Sequence, residues 1–141
     1  MPTSSLPPEL VQAYIQTEFR VQADPEFSLS IGQISEQIKA LHALHGVSAS
    51  TFITAFNPLG VALSTLENEA LQNQLVQSLE RKRWLWICGE GRDRSGQWPA
   101  EQSVLVLGMG REQAGLWGHQ YKQNAVVLIE ASGVPELVLL Q

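Results

Sequence analysis

The chain has 141 residues, 44% of them hydrophobic, with 9 basic against 14 acidic side chains and a net charge of -5. That is enough chain for a hydrophobic core without disulfides or metal, and too acidic for a nucleic-acid backbone to be the default partner. The lone Cys88 has no thiol to pair with, which excludes an internal disulfide and a thiolate zinc site and fits a reducing cytoplasm.

The opening Met1-Pro2-Thr3-Ser4-Ser5 carries no basic stretch followed by an apolar run, and no segment of about 18 apolar residues occurs, so neither secretion nor membrane insertion is expected. Pro7-Pro8-Glu9 opens a short helix to Tyr14, with Leu10, Ala13 and Tyr14 on one side. Ile15, Thr17, Phe19 and Val21 alternate with polar residues, as do Phe27, Leu29 and Ile31 beyond the Asp24-Pro25 turn, which predicts a β-hairpin. Ser35 caps a second helix that carries Ile38, Leu41 and Leu44 or His45 inward, and Gly46 ends it. Thr51 to Phe56 is an apolar, β-branched run expected to be a strand covered on both faces, and it stops at Asn57-Pro58.

Ser64-Thr65-Leu66-Glu67 has the spacing of a capping box, so a long helix starts there with Leu71, Leu75 and Leu79 as its core stripe. The basic run Arg81-Lys82-Arg83 closes it, where cations meet the negative end of the helix dipole. Trp84 to Cys88 is the next expected strand, Gly89 to Gln102 a Gly-rich charged loop, and Ser103 to Leu107 another strand. The following helix turns Ala114, Trp117 and Tyr121 inward, and its Gly115 and Gly118 lower helix stability unless a neighbour packs closely on them. Ala125 to Ile129 and Glu136 to Leu140 are strands around a Ser132-Gly133 turn.

From residue 49 the order strand, helix, strand, strand, helix, strand is the split βαβ pattern of a ferredoxin-like α/β (α+β) fold, with one extra C-terminal strand. The helix, hairpin and helix of residues 1–48 are an N-terminal addition to the core of residues 49–141, and the whole is expected to be one domain. In this topology each helix joins two parallel strands that are separated by an antiparallel one.

Phe52-Ile53-Thr54-Ala55-Phe56-Asn57-Pro58, Glu67-Asn68, Glu101-Gln102-Ser103 and Gln123-Asn124-Ala125 resemble a bacterial family known as a domain of unknown function, number 3293, over roughly Tyr14 to Ile129. The resemblance implies a small bacterial soluble protein. It implies no activity, catalytic residue or cofactor.

Asn68 lies on the apolar stripe of the long helix, three, seven and eleven positions before Leu71, Leu75 and Leu79. A buried amide needs partners, and either an internal network near Asn57 or a ligand can supply them. The split βαβ topology gathers Asn57, Ser64, Asn68, the 89–102 loop, Ser103, Gln123 and Asn124 at one sheet edge, together with Arg92 and Glu101. That mixture orients a small polar ligand or forms a structural polar girdle. Trp98, in Gly96-Gln97-Trp98-Pro99, anchors its loop to the core or meets a partner, and anchoring is the expected role.

The remaining motifs are incomplete. Gly108-Met109-Gly110 has Gln113 where a dinucleotide fingerprint requires a small residue, and Gly89-Glu90-Gly91 lacks the ending of a phosphate loop. His42 and His45 have no third metal ligand in view, and neither Cys88 nor any serine has a base beside it. No cofactor, metal or catalytic set is therefore expected. Three readings follow: a non-catalytic binding or regulatory domain for a small polar ligand or protein partner, a small hydrolase or transferase using Glu101 or Glu90 with Arg92, and a homo-oligomer joined through the Trp84 and Trp86 strand.

Overall fold

A computed structural model describes residues 5–141. The elements run α1 (Pro8–Ile15), β1 (Thr17–Val21), β2 (Phe27–Leu29), α2 (Glu36–His45), β3 (Ser50–Ile53), a 3-10 turn (Pro58–Gly60), α3 (Thr65–Arg81), β4 (Leu85–Asp93), β5 (Glu101–Leu107), α4 (Arg111–Gln120), β6 (Ala125–Ile129) and β7 (Pro135–Leu139). All seven strands belong to one sheet in the order β2-β1-β4-β5-β3-β6-β7, with every neighbouring pair antiparallel. It follows that β3 and β4, joined by α3, run the same way with β5 between them, and that β5 and β6, joined by α4, do so around β3. The β1–β2 hairpin extends this sheet through β4, and β7 extends it through β6.

The pleat sends alternate residues to opposite faces, and each face has its own core. On one, Ile53, Val104, Val106 and Val126 meet Leu75 and Leu79 of α3 and Ala114 and Trp117 of α4. On the other, Phe19, Phe52, Leu105, Val127 and Ile129 meet Ile38 of α2. Burying each such Val, Leu, Ile or Phe side chain contributes about 1.5–3 kcal/mol before the entropy of ordering is subtracted. Among the described residues no helix is long and apolar enough to cross a membrane.

Local chemistry sets the helix ends. Ser35 Oγ accepts from Ile38 N and Gly46 closes α2 at φ 66°, while Ser64 and Glu67 form the reciprocal capping box of α3. The inward stripe of α2 differs from the expected one: Leu44 and His45 are exposed, and His42 is buried with Nε2 hydrogen-bonded to Ser50 Oγ at 2.7 Å. Pairing with Ser50 lets a histidine occupy a position otherwise suited to an apolar side chain.

Two boundaries also move. β3 ends at Ile53 and not Phe56, because Thr54 Oγ1 donates to Gln102 O at 2.5 Å and accepts from Phe56 N at 3.1 Å, so a side chain takes over ladder bonding. β4 runs on to Asp93, turning the first five residues of the expected 89–102 loop into strand, with Gly89 opposite Val21 and Ser103, and Gly91 opposite Phe19 and Glu101. Gly89 is a close-approach residue: a Cβ there would stand 2.6 Å from Arg20 O and 2.7 Å from the Phe52 ring. The loop reading failed because glycine at a crowded strand position looks, in sequence, like glycine in a turn.

Glycine substitutions should therefore have opposite signs. Gly89→Ala should destabilise by about 1–3 kcal/mol, since the obstacle is backbone. Gly115→Ala, with nothing within 4 Å of the added Cβ, should stabilise by about 0.5–1 kcal/mol through helix propensity. Denaturant titration of the two variants checks both signs.

Candidate functional site

Past Ile53 the chain leaves the sheet, and α3 receives the released backbone groups. Ala55 N donates to Gln72 Oε1 at 2.9 Å and Asn57 N to Asn68 Oδ1 at 2.8 Å, the acceptors being two buried side chains one helical turn apart. Asn68 Nδ2 returns a bond to Asn57 Oδ1 at 2.9 Å, and Leu63 N donates to the same oxygen at 3.0 Å. With its oxygen occupied twice, the Asn57 amide has only its NH2 to offer, and that group is directed to the Glu101 carboxylate at the start of β5, where it favours the charged form. Asn57 sits at φ 47° and Leu59 at φ 54°, left-handed conformations that non-glycine residues seldom adopt. Leu59 N is tied to Lys122 O at 2.6 Å, and Gln123 Nε2 donates to Phe56 O at 3.2 Å, which pins this connection to the turn between α4 and β6.

Beside this network is a cavity of about 460 Å³, roofed by α1 through Leu10, Ala13 and Tyr14, and floored by Phe19, Phe52, Val127 and Leu137. Phe56, Gly60 and Ala62 add to its lining, and the exposed Trp98 stands with Pro99 at its rim. Its polar end holds Asn57, Glu101, Ser103, Gln123 and Asn124. Asn124 Nδ2 donates to Tyr14 Oη at 3.3 Å, a bond that ties the roof to the sheet. No residue of α1 is itself buried. One absence keeps the space open: Gly91 carries no side chain, and a Cβ there would meet only Thr17 Cγ2, at 3.7 Å.

Burial pushes the Glu101 carboxyl above the usual glutamate range, against the opposing hydrogen bond from Asn57. Burial also raises the Tyr14 phenol; the Asn124 bond opposes the shift and the negative charge of Glu101 adds to it. Asp93 lies at the rim and has a different task. Its carboxylate accepts from Ser95 N, Ser95 Oγ, Gln97 N and Trp98 N, at 2.8–3.2 Å, and so organises the β4–β5 turn.

Of the residues expected at this edge, Asn57, Trp98, Glu101, Gln123 and Asn124 line the cavity, and Asn68 stands behind Asn57 as its support. Arg92 does not join them. Strand alternation puts it on the face opposite Gly91, where it pairs with Glu90. Trp98 is 58% exposed, so its indole forms the rim without being anchored in the core, and its loop is held through Asp93. Among the described residues no group of three or more His, Cys, Asp or Glu side chains is placed to hold a metal ion.

Sequence reasoning missed Gln72, Tyr14 and Gly91. Gln72 lies four residues after Asn68 and three before Leu75, on the stripe that already marked Asn68, so the signal was present. Tyr14 was visible on the apolar side of its helix, but nothing local says which face of the sheet that helix covers.

Asn68→Ala should cost about 1–3 kcal/mol, because it leaves Asn57 N and the Asn57 side chain unpaired in a confined site. Denaturant midpoints measure it, and a loss below about 0.5 kcal/mol would mean that water replaces the amide. Glu101 makes stability fall as pH rises. Its folded pKa is raised, so its contribution is fully present below the unfolded glutamate value and is lost as pH rises through the folded value. Wild type should lose stability relative to Glu101→Gln across that window, which paired thermal melts from acid to neutral pH resolve.

Neither a curated protein nor a solved structure matches this chain. A family model does match, over residues 53–126, from the end of β3 to the second residue of β6. This stretch is just over half of the chain and holds Asn57, Asn68, Glu101, Gln123 and Asn124, while the roof residue Tyr14 and the floor residues Phe19 and Phe52 lie before it. The chain belongs to the family of proteins of unknown function designated DUF3293.

Proposed function

We propose that this protein is a non-catalytic binding domain that holds a small molecule in the cavity between α1 and the sheet. One observation carries the reading: an apolar space of about 460 Å³ ends in a fixed set of polar groups, Glu101, Asn57 and Asn124. That is the common build of a small-molecule site, with an apolar body for affinity and a few oriented polar atoms for selectivity. The Asn68–Asn57–Glu101 chain supports it, since each amide is oriented by the next and the carboxylate is held in place before any ligand arrives. The hydrolase or transferase alternative has less support, because Arg92, its electrostatic partner, pairs with Glu90 on the other face. Self-association through Trp84 and Trp86 has less too, as both pack partly buried against the α3 and α4 core.

The order β6-β3-β5-β4 at the centre of the sheet supports reading the core as a ferredoxin-like split βαβ unit. We take the chain as one domain, because the hairpin and β7 continue the same sheet. The lone Cys88 fits a reducing, cytoplasmic setting.

A small-fragment panel titrated into isotope-labelled protein tests the binding reading. Fragments that bind should shift the amide signals of Tyr14, Phe52, Asn124 and Val127 together, and Gly91→Leu, which fills the floor, should abolish those shifts while the melting temperature stays near wild type. Shifts that are scattered over the surface, or that survive in Gly91→Leu, would sink the proposal.

A further inference from the structure

The charge and aromatic content of the cavity restrict what it can hold. Among the described residues, its lining contains two acidic side chains, Asp93 and Glu101, and neither lysine nor arginine. The Asp93 carboxylate is engaged by the turn donors around it, whereas Glu101 receives one side-chain bond, from Asn57, and keeps acceptor capacity toward the cavity. A phosphate or carboxylate ligand would meet that carboxylate with no cation to compensate it. Around the same space stand Tyr14, Phe19, Phe52, Phe56 and Trp98, half of the chain's aromatic side chains. Phe19 and Phe52 meet edge to face, with centroids 5.3 Å apart, and so form a continuous aromatic floor. Ring faces carry negative potential and attract cations, ammonium groups above all.

We propose that the cavity takes an organic cation, a primary or quaternary ammonium on an aromatic or branched aliphatic body, with the charged end against Glu101 and the body on the Phe19 and Phe52 floor. This rests on the cavity being the ligand site and adds the class of ligand. The carboxylate supplies the counter-charge, Asn57 keeps it turned inward, and the aromatic walls stabilise the positive charge while excluding water. A neutral molecule of the same shape gains the apolar contacts alone. An anion gains less.

Four probes of one shape separate these cases on the full-length wild-type chain at neutral pH: benzylamine, benzyltrimethylammonium, benzyl alcohol and benzoate, each titrated by calorimetry and by amide shifts at Tyr14, Phe52 and Asn124. At least one ammonium should bind about tenfold or more tightly than benzyl alcohol, with benzoate weakest. Glu101→Gln should lower the ammonium affinity about tenfold and leave benzyl alcohol within about twofold. If benzyl alcohol or benzoate binds as well as both ammonium probes, the cationic class is wrong and the binding site stands. If no probe shifts the cavity signals, or ammonium binding persists in Gly91→Leu, site and class fall together. The four-probe comparison on wild type decides the class even if the Glu101 variant does not fold.

Discussion

β3, a central strand of the sheet, stops four residues after it starts, and everything at that end of the molecule follows from how its loose backbone is satisfied. A buried strand end has N–H groups that no water reaches, and leaving them unpaired costs as much as several good contacts provide. Here α3 supplies the acceptors. Gln72 and Asn68, one turn apart, take Ala55 N and Asn57 N, so the helix that covers one face of the sheet also terminates its middle strand. A helix whose whole inner stripe was leucine would pack as well on the sheet and would leave the exit of β3 without partners.

The same arrangement determines the chemistry of the opposite face. Because Asn68 and Leu63 N both occupy the Asn57 carbonyl, the amide cannot flip, and its NH2 is left to face Glu101. The left-handed backbone at Asn57 and Leu59 is then held by Lys122 O and by Gln123, and Gly60 tucks against Asn124, where an added Cβ would stand 3.1 Å from Nδ2. Strain at such residues persists only where surrounding bonds over-determine it. The polar end of the cavity is thus rigid, whereas its roof, α1, has no buried residue and is tied down through Tyr14. Access by movement of the roof is less costly than access through the polar wall.

How much of this was legible depended on whether the signal was local. The capping box at Ser64 and Glu67, the Gly46 stop and the buried Asn68 each follow from a few neighbouring residues, and all are present. The gathering of Asn57, Glu101, Gln123 and Asn124 needed only the end of the sheet to which each belongs, and the order of elements supplied that. The misreadings came where tertiary crowding overrode a local pattern. Gly89 and Gly91 resembled a flexible loop, yet one makes room for the Phe52 ring and the other for the cavity, and both are paired on two sides in β4. Arg92 was misplaced for the same reason, since once the segment is a strand its side chain must leave by the face that Gly91 does not use. No local feature of α1 identified the part of the sheet it covers, so the cavity itself was beyond reach.

Glu101 is where the needs of stability and of the cavity diverge. At the exit of β3, Ala55 N and Asn57 N are satisfied by amide oxygens and Phe56 N by a hydroxyl, and an uncharged glutamine at position 101 would accept from Asn57 as well. The ionised acid adds a desolvation cost that such a neutral residue would not bear, with no lysine or arginine in the cavity to offset it. A charge that weakens the fold while Asn57, braced by Asn68, faces it beside an aromatic space is explained poorly by packing and well by a positively charged occupant, whose binding would offset that cost.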